Sequence, residues 1–137
     1  MLIDGLASST LPADDRGLAY GDGLFETMRM ANGSVPLLDL HFARLAAGCA
    51  RLGLPCPGRE LVELEIGQVA KGRAEGVVKL VLTRGSGGRG YEPPAVVQPR
   101  RLIAWPPLPD YPRAAYRPAT GAGGLRCTSR RWPSVTS

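Results

Sequence analysis

From Leu24 to Met30 apolar and polar residues alternate, which predicts a strand with Phe25, Thr27 and Arg29 on one face and Leu24, Glu26 and Met28 on the other. Neither face is purely apolar, so the strand sits at a sheet edge or lines a site. It runs on to Ala31 and meets Asn32-Gly33, a strong hairpin signal, which predicts a return strand through Ser34-Val35-Pro36-Leu37-Leu38. Asp39 is placed to cap a helix that ends at Leu52 and Gly53, with Phe42, Leu45, Cys49 and Leu52 at helical spacing. After Pro57-Gly58 a second helix is expected over Arg59 to Arg73, with Val62, Ile66 and Val69 on one stripe and Glu63 and Glu65 facing elsewhere. Val77–Thr83 reads as a mostly buried strand. Arg101–Trp105 reads as another, ending at Pro106-Pro107, and Leu2-Ile3 as a short opening strand before the Asp4-Gly5 turn. The pattern is α+β, a sheet with two helices on one side. Beyond Tyr116 no periodicity survives, and residues 118–137 read as an irregular, disordered tail.

At 137 residues the chain can bury one core, and a second full domain is not expected. No apolar run approaches the roughly 20 residues that span a bilayer, and Met1-Leu2-Ile3-Asp4 lacks the start of an export signal. A cytoplasmic location without membrane partners is the expectation. Three cysteines, none in a C-x-x-C pair, suggest neither a disulfide framework nor a metal site, and Cys49 reads as a core residue. The formal charge is +5, of which Arg126, Arg130 and Arg131 in the tail supply three. The body is nearly balanced, which gives little electrostatic reason to bind nucleic acid.

Gly85-Ser86-Gly87-Gly88-Arg89-Gly90 matches G-x-G-x-x-G after a strand. A dinucleotide site must then open a helix, and Pro93-Pro94 forbids one so soon. No Gly-Lys-Ser/Thr follows, so a P-loop is out as well. A flexible glycine loop carrying Arg84, Arg89 and Tyr91 suits either a carboxylate-bearing small molecule, gripped by guanidinium forks, or plain solvation. Arg44, with His41 one turn earlier on the same helix face, admits the same two readings.

Three stretches in order settle a resemblance. They are Asp15-Arg16-Gly17-Leu18-Ala19-Tyr20-Gly21-Asp22-Gly23-Leu24-Phe25-Glu26-Thr27-Met28-Arg29, His41-Phe42-Ala43-Arg44-Leu45 and Thr83-Arg84-Gly85-Ser86-Gly87-Gly88-Arg89-Gly90-Tyr91. Together they resemble the small N-terminal domain of the fold-type IV pyridoxal-phosphate enzymes, over residues 1 to about 112. That family includes branched-chain and D-amino acid aminotransferases and 4-amino-4-deoxychorismate lyase, and the third stretch looks most like the lyase branch.

The resemblance implies an antiparallel-rich sheet with two helices packed on one side, over residues 1–117. It implies pyridoxal 5'-phosphate as cofactor, with its phosphate on Arg44, and a substrate bearing carboxylates held by Arg84, Arg89, Tyr91 and Arg29. No metal is implied. The activity implied is conversion of 4-amino-4-deoxychorismate to 4-aminobenzoate and pyruvate, for folate synthesis, in a homodimer; the alternatives are a D-amino acid or branched-chain aminotransferase, and a non-catalytic fragment. Lys71 and Lys79 are the only lysines, and neither matches the family's Schiff-base lysine, which lies in a following domain. The catalytic C-terminal domain is thus expected to be absent and the chain alone inactive, and a frameshift near residue 118 would account for both the missing lysine and the tail.

Overall fold

The computed structural model describes residues 1–107; the expectation for residues 118–137 lies outside them. Eight elements follow in order: β1 Leu2–Ile3, β2 Leu6–Ala7, α1 Arg16–Tyr20, β3 Gly23–Met30, α2 Leu38–Leu52, α3 Arg59–Ala70, β4 Gly76–Thr83 and β5 Arg100–Ala104. The strands form one sheet in the order β2-β1-β5-β4-β3, and every neighbouring pair is antiparallel. This is the expected α+β arrangement. Among the described residues, no helix is long and apolar enough to cross a membrane.

One face of the sheet carries the core. Met28, Val78, Leu80, Leu82 and Ile103 meet Leu45 and Cys49 of α2 and Val62, Ile66 and Val69 of α3, all of them buried. Each such side chain contributes about 1.5–3 kcal/mol on leaving water. Cys49 therefore has the packing role expected of it. Burial first, and then the neighbouring Cys56 thiol, push the Cys49 thiol up to about 11. At pH 8 iodoacetamide should label exposed Cys56 on the folded chain and leave Cys49 unmodified until denaturant is added, as peptide mass mapping would show.

The opposite face is open. Register alignment places Leu6, Ile3, Leu102, Val81 and Phe25 side by side across all five strands, an apolar ladder on the face away from α2 and α3. Phe25 is 68 % exposed and Leu6 73 %. Lys79 stands on the same face, its ammonium 5.6 Å from the centre of the Phe25 ring.

Four details differ from the sequence expectation. The return strand after Asn32-Gly33 does not form: Ala31 and Ser34 make a single bridge, and Asn32 and Gly33 take φ of 51° and 74°. The whole of β3 is instead laddered to β4, and Pro36, lacking an N–H, could not have continued a ladder. Asp39 does not cap α2; Leu37 occupies that position without a side-chain bond, and the Asp39 carboxylate pairs with Arg59 across the gap to α3. The second helix ends at Ala70 rather than Arg73, because Lys71 and Gly72 turn left-handed at φ 49° and 78°.

Glu65 does not face away from the stripe of Val62, Ile66 and Val69 but is buried with it. It is 2 % exposed, and its carboxylate accepts both Nε and Nη2 of Arg101 at 2.6 Å, which joins α3 to β5. Two short elements, β2 and α1, were also not anticipated.

Candidate functional site

The segment before β3 folds around its charged residues. Asp15 is fully buried and caps α1, Oδ1 accepting the N–H groups of Gly17 at 2.9 Å and Leu18 at 3.4 Å, while Oδ2 accepts the Thr83 hydroxyl at 2.8 Å. Gly17 has to be glycine here, since a Cβ would sit 2.2 Å from Thr83 Cγ2. Arg16 is 3 % exposed. Its Nε donates to Asp22 Oδ2 at 2.9 Å, its Nη1 to the carbonyls of Gly87, Gly90 and Glu92 at 3.3, 3.1 and 3.2 Å, and its Nη2 to that of Tyr91 at 3.2 Å.

Asp22 also accepts Arg84 Nε at 2.8 Å, and Arg84 Nη2 donates to the Leu52 carbonyl at 2.7 Å, at the end of α2. The bond from Arg84, and then that from Arg16, hold the Asp22 carboxyl below the usual carboxylate range against the opposing effect of burial. The glycine loop, which the sequence suggested to be flexible, is thus bound to the Arg16 guanidinium through four of its carbonyls. Arg84 is not an open fork for substrate either: with Nε and Nη2 committed and the side chain 10 % exposed, it is a strut between Asp22 and α2. Arg89 and Tyr91 do stand out from the loop, Tyr91 being 88 % exposed with its ring 5.6 Å from that of Tyr20. α1, which carries Tyr20, also supplies Gly17 and Leu18 to a cavity of about 430 Å³ against Phe25, Val81 and Leu102 of the open sheet face.

A second charged group sits where β3 meets α2. Glu26 is 4 % exposed on the helix side of β3. Its Oε1 accepts Arg44 Nε at 2.7 Å, and its Oε2 bonds Arg44 Nη2 and, at 2.8 Å, His41 Nδ1. The Arg44 bond first, and then that from His41, lower the Glu26 carboxyl, while the same partner raises Arg44. Arg44 itself is 69 % exposed along its side chain, and its Nη1 has no partner among the described residues. Its carboxylate-bound edge is fixed and its other edge can receive an anion, which fits a phosphate anchor. Arg29, 80 % exposed and 3.9 Å from Glu75, shares the outward face of β3 with Phe25 and Thr27, opposite Glu26, and lines a groove with His41, Pro36 and Leu37.

Glu26 and Asp22 titrate below their ordinary values when folded, so each stabilises the fold above its unfolded pKa, and that contribution is lost as pH falls through the lowered folded value. Unfolding in urea should therefore become easier as pH falls below about 5, and Glu26→Gln should flatten that slope.

Arg16, Asp22 and Glu26 were not singled out as site residues from sequence. The signal was there in the two charged pairs around Gly21-Asp22-Gly23, and what was hidden was which arginine would be buried. Among the described residues, no group of three or more His, Cys, Asp or Glu is arranged to hold a metal ion.

The model of the amino-transferase class IV family matches residues 23–136. The crystal structure of 4-amino-4-deoxychorismate lyase from Pseudomonas aeruginosa superposes with a TM-score of 0.72 at 45 % identity, covering 82 % of this chain and 41 % of that one. The bifunctional aminodeoxychorismate lyase / D-amino acid transaminase of Mycobacterium tuberculosis is 35 % identical over 102 residues, 68 % of this chain and 35 % of its own length. A hypothetical aminotransferase from Mycobacterium tuberculosis, solved in its PLP-bound form, superposes with a TM-score of 0.56 at 28 % identity, over 73 % of this chain and 35 % of that one. The chain thus spans well under half the length of each of these relatives.

Proposed function

Since the chain belongs to the amino-transferase class IV family, we propose that it is the phosphate-anchoring and substrate-facing part of an aminodeoxychorismate lyase. The reaction is pyridoxal-phosphate-dependent conversion of 4-amino-4-deoxychorismate to 4-aminobenzoate and pyruvate in folate synthesis, in a cytoplasmic homodimer. The observation that carries this reading is the loop at residues 85–92. It presents Arg89 and Tyr91 to solvent, with Tyr91 against Tyr20 of α1, the helix that also supplies Gly17 and Leu18 to the apolar cavity, and a substrate with two carboxylates suits an exposed guanidinium on such a loop.

Arg44 would hold the cofactor phosphate through the edge that Glu26 leaves open, and His41 and Glu26 keep its guanidinium from swinging away. The bound cofactor supplies an electron sink for the substrate's reacting carbon. Phe25, Val81 and Leu102 give the cavity one apolar wall. Neither Lys71, which caps α3, nor Lys79, on the open face, is assigned the amine that carries the cofactor.

A second reading, transfer of an amino group from a D-amino acid, is favoured by the two activities named for the Mycobacterium tuberculosis relative. A chimera joining residues 1–107 to the remainder of the Pseudomonas aeruginosa lyase separates them. It should release pyruvate from aminodeoxychorismate, followed by a lactate dehydrogenase couple, while the 137-residue chain alone releases none. A chimera that moved amino groups from D-alanine to 2-oxoglutarate but released no pyruvate would leave only the family standing.

A further inference from the structure

We propose that Arg16 is the positioning residue of the substrate loop: from inside the fold it sets the shape of residues 85–92, so that Arg89 and Tyr91 are held out toward a carboxylate-bearing ligand. The ligand half of this statement rests on the proposed lyase reading; the hold on the loop stands on geometry alone.

A guanidinium that is 3 % exposed needs its lost hydration replaced. Asp22 supplies the one carboxylate, and four carbonyls of a six-residue stretch, those of Gly87, Gly90, Tyr91 and Glu92, supply the rest. Four carbonyls can converge on one planar fork only if the backbone wraps around it. The loop does so, closing on itself where the Glu92 N–H donates to the Arg89 carbonyl at 3.2 Å. The Arg16 N–H also donates to the Gly85 carbonyl at 2.9 Å, so main chain and side chain grip both ends of the loop.

Gly88 leaves room for the arginine, because a Cβ there would lie 2.4 Å from the Glu92 carbonyl oxygen and 3.0 Å from Arg16 Nη1. The Arg16 guanidinium lies 4.8 Å from the Tyr20 ring centre, and Tyr20 is the partner of Tyr91. A lysine could not substitute, since one ammonium cannot meet acceptors spread over both guanidinium nitrogens and Nε.

The test uses the full 137-residue chain with Arg16→Lys, Gly88→Ala and Arg89→Met. Amide hydrogen exchange reads the loop at Glu92, and the Val78, Leu80 and Leu82 amides of β4 report whether the fold is intact. Benzoate, an aromatic carboxylate, is titrated while the Tyr91 amide and Arg89 Nε signals are followed by NMR. Arg16→Lys and Gly88→Ala should each speed Glu92 exchange at least tenfold with β4 still protected, and should weaken benzoate binding at least fivefold although Arg89 and Tyr91 are intact. If Arg16→Lys unfolds the chain, Gly88→Ala, which removes no charge, decides.

Unchanged Glu92 exchange in Gly88→Ala and in a folded Arg16→Lys would overturn the hold on the loop. Faster exchange with unchanged benzoate affinity would overturn the positioning role. Arg89→Met should abolish the benzoate shifts and leave Glu92 exchange as it is. If the unsubstituted chain shows no benzoate shift, or Arg89→Met keeps it, the carboxylate-gripping reading fails while the exchange data still decide what Arg16 holds.

Discussion

Glu65→Ala is expected to destabilise the chain by about 3–5 kcal/mol, a large part of the stability of a domain this size. The substitution leaves Arg101, which is 16 % exposed, without the carboxylate that accepts both its Nε and its Nη2. The cost is less the value of the ion pair than that of an arginine stranded between α3 and β5. The double variant Glu65→Leu with Arg101→Met removes both charges and keeps much of the volume, and should recover most of the loss. Urea unfolding of Glu65→Leu, Arg101→Met and the double, read by far-ultraviolet circular dichroism, closes the cycle. A Glu65→Ala midpoint equal to that of the parent would show that water reaches this pair.

Arg44→Ala, in the chimera with the remainder of the Pseudomonas aeruginosa lyase, is expected to weaken pyridoxal phosphate retention by at least about tenfold, the loss of one charge-assisted bond to a phosphate. Arg51→Ala is the control, because Arg51 is exposed in the last turn of the same helix and has no ion-pair partner among the described residues. Retention is followed through the cofactor's absorbance during dialysis. A Glu26→Gln variant should fall between the two, since it loosens the orientation of Arg44 without removing its charge. Equal retention by all three would return Arg44 to the solvated surface.

The helices and long strands were legible in sequence because each is carried by a periodicity that tertiary structure had no reason to override. Val62, Ile66 and Val69 mark a helix face whatever lies opposite, and the aliphatic run from Val77 to Leu82 reads as a strand from composition alone. What failed was pairing. Asn32-Gly33 makes the tight turn its residues favour, yet the strand that pairs with β3 lies more than 40 residues on, and no local signal carries that distance. The same holds for charge. Glu65 looks like any helix carboxylate until Arg101, 36 residues away, arrives beside it.

The candidate site was legible in part. Arg44, Arg89 and Tyr91 are exposed side chains, and the resemblance to a known family located them without tertiary information. Arg16 and Arg84 sit in equally polar sequence but are consumed by backbone carbonyls and Asp22. Local sequence does not distinguish an arginine that meets a ligand from one that meets the fold.

Among the described residues, β3 is an edge strand of eight residues, and one of its margins has no neighbouring strand. A long edge of that kind is a template on which another chain can pair and begin to aggregate. Glu26 lies in the middle of this strand with its carboxylate turned inward, bound to Arg44 and His41. An inward-pointing charge on an edge strand is one of the devices that discourage such pairing, so the carboxylate that orients Arg44 also makes this margin a poorer template for aggregation.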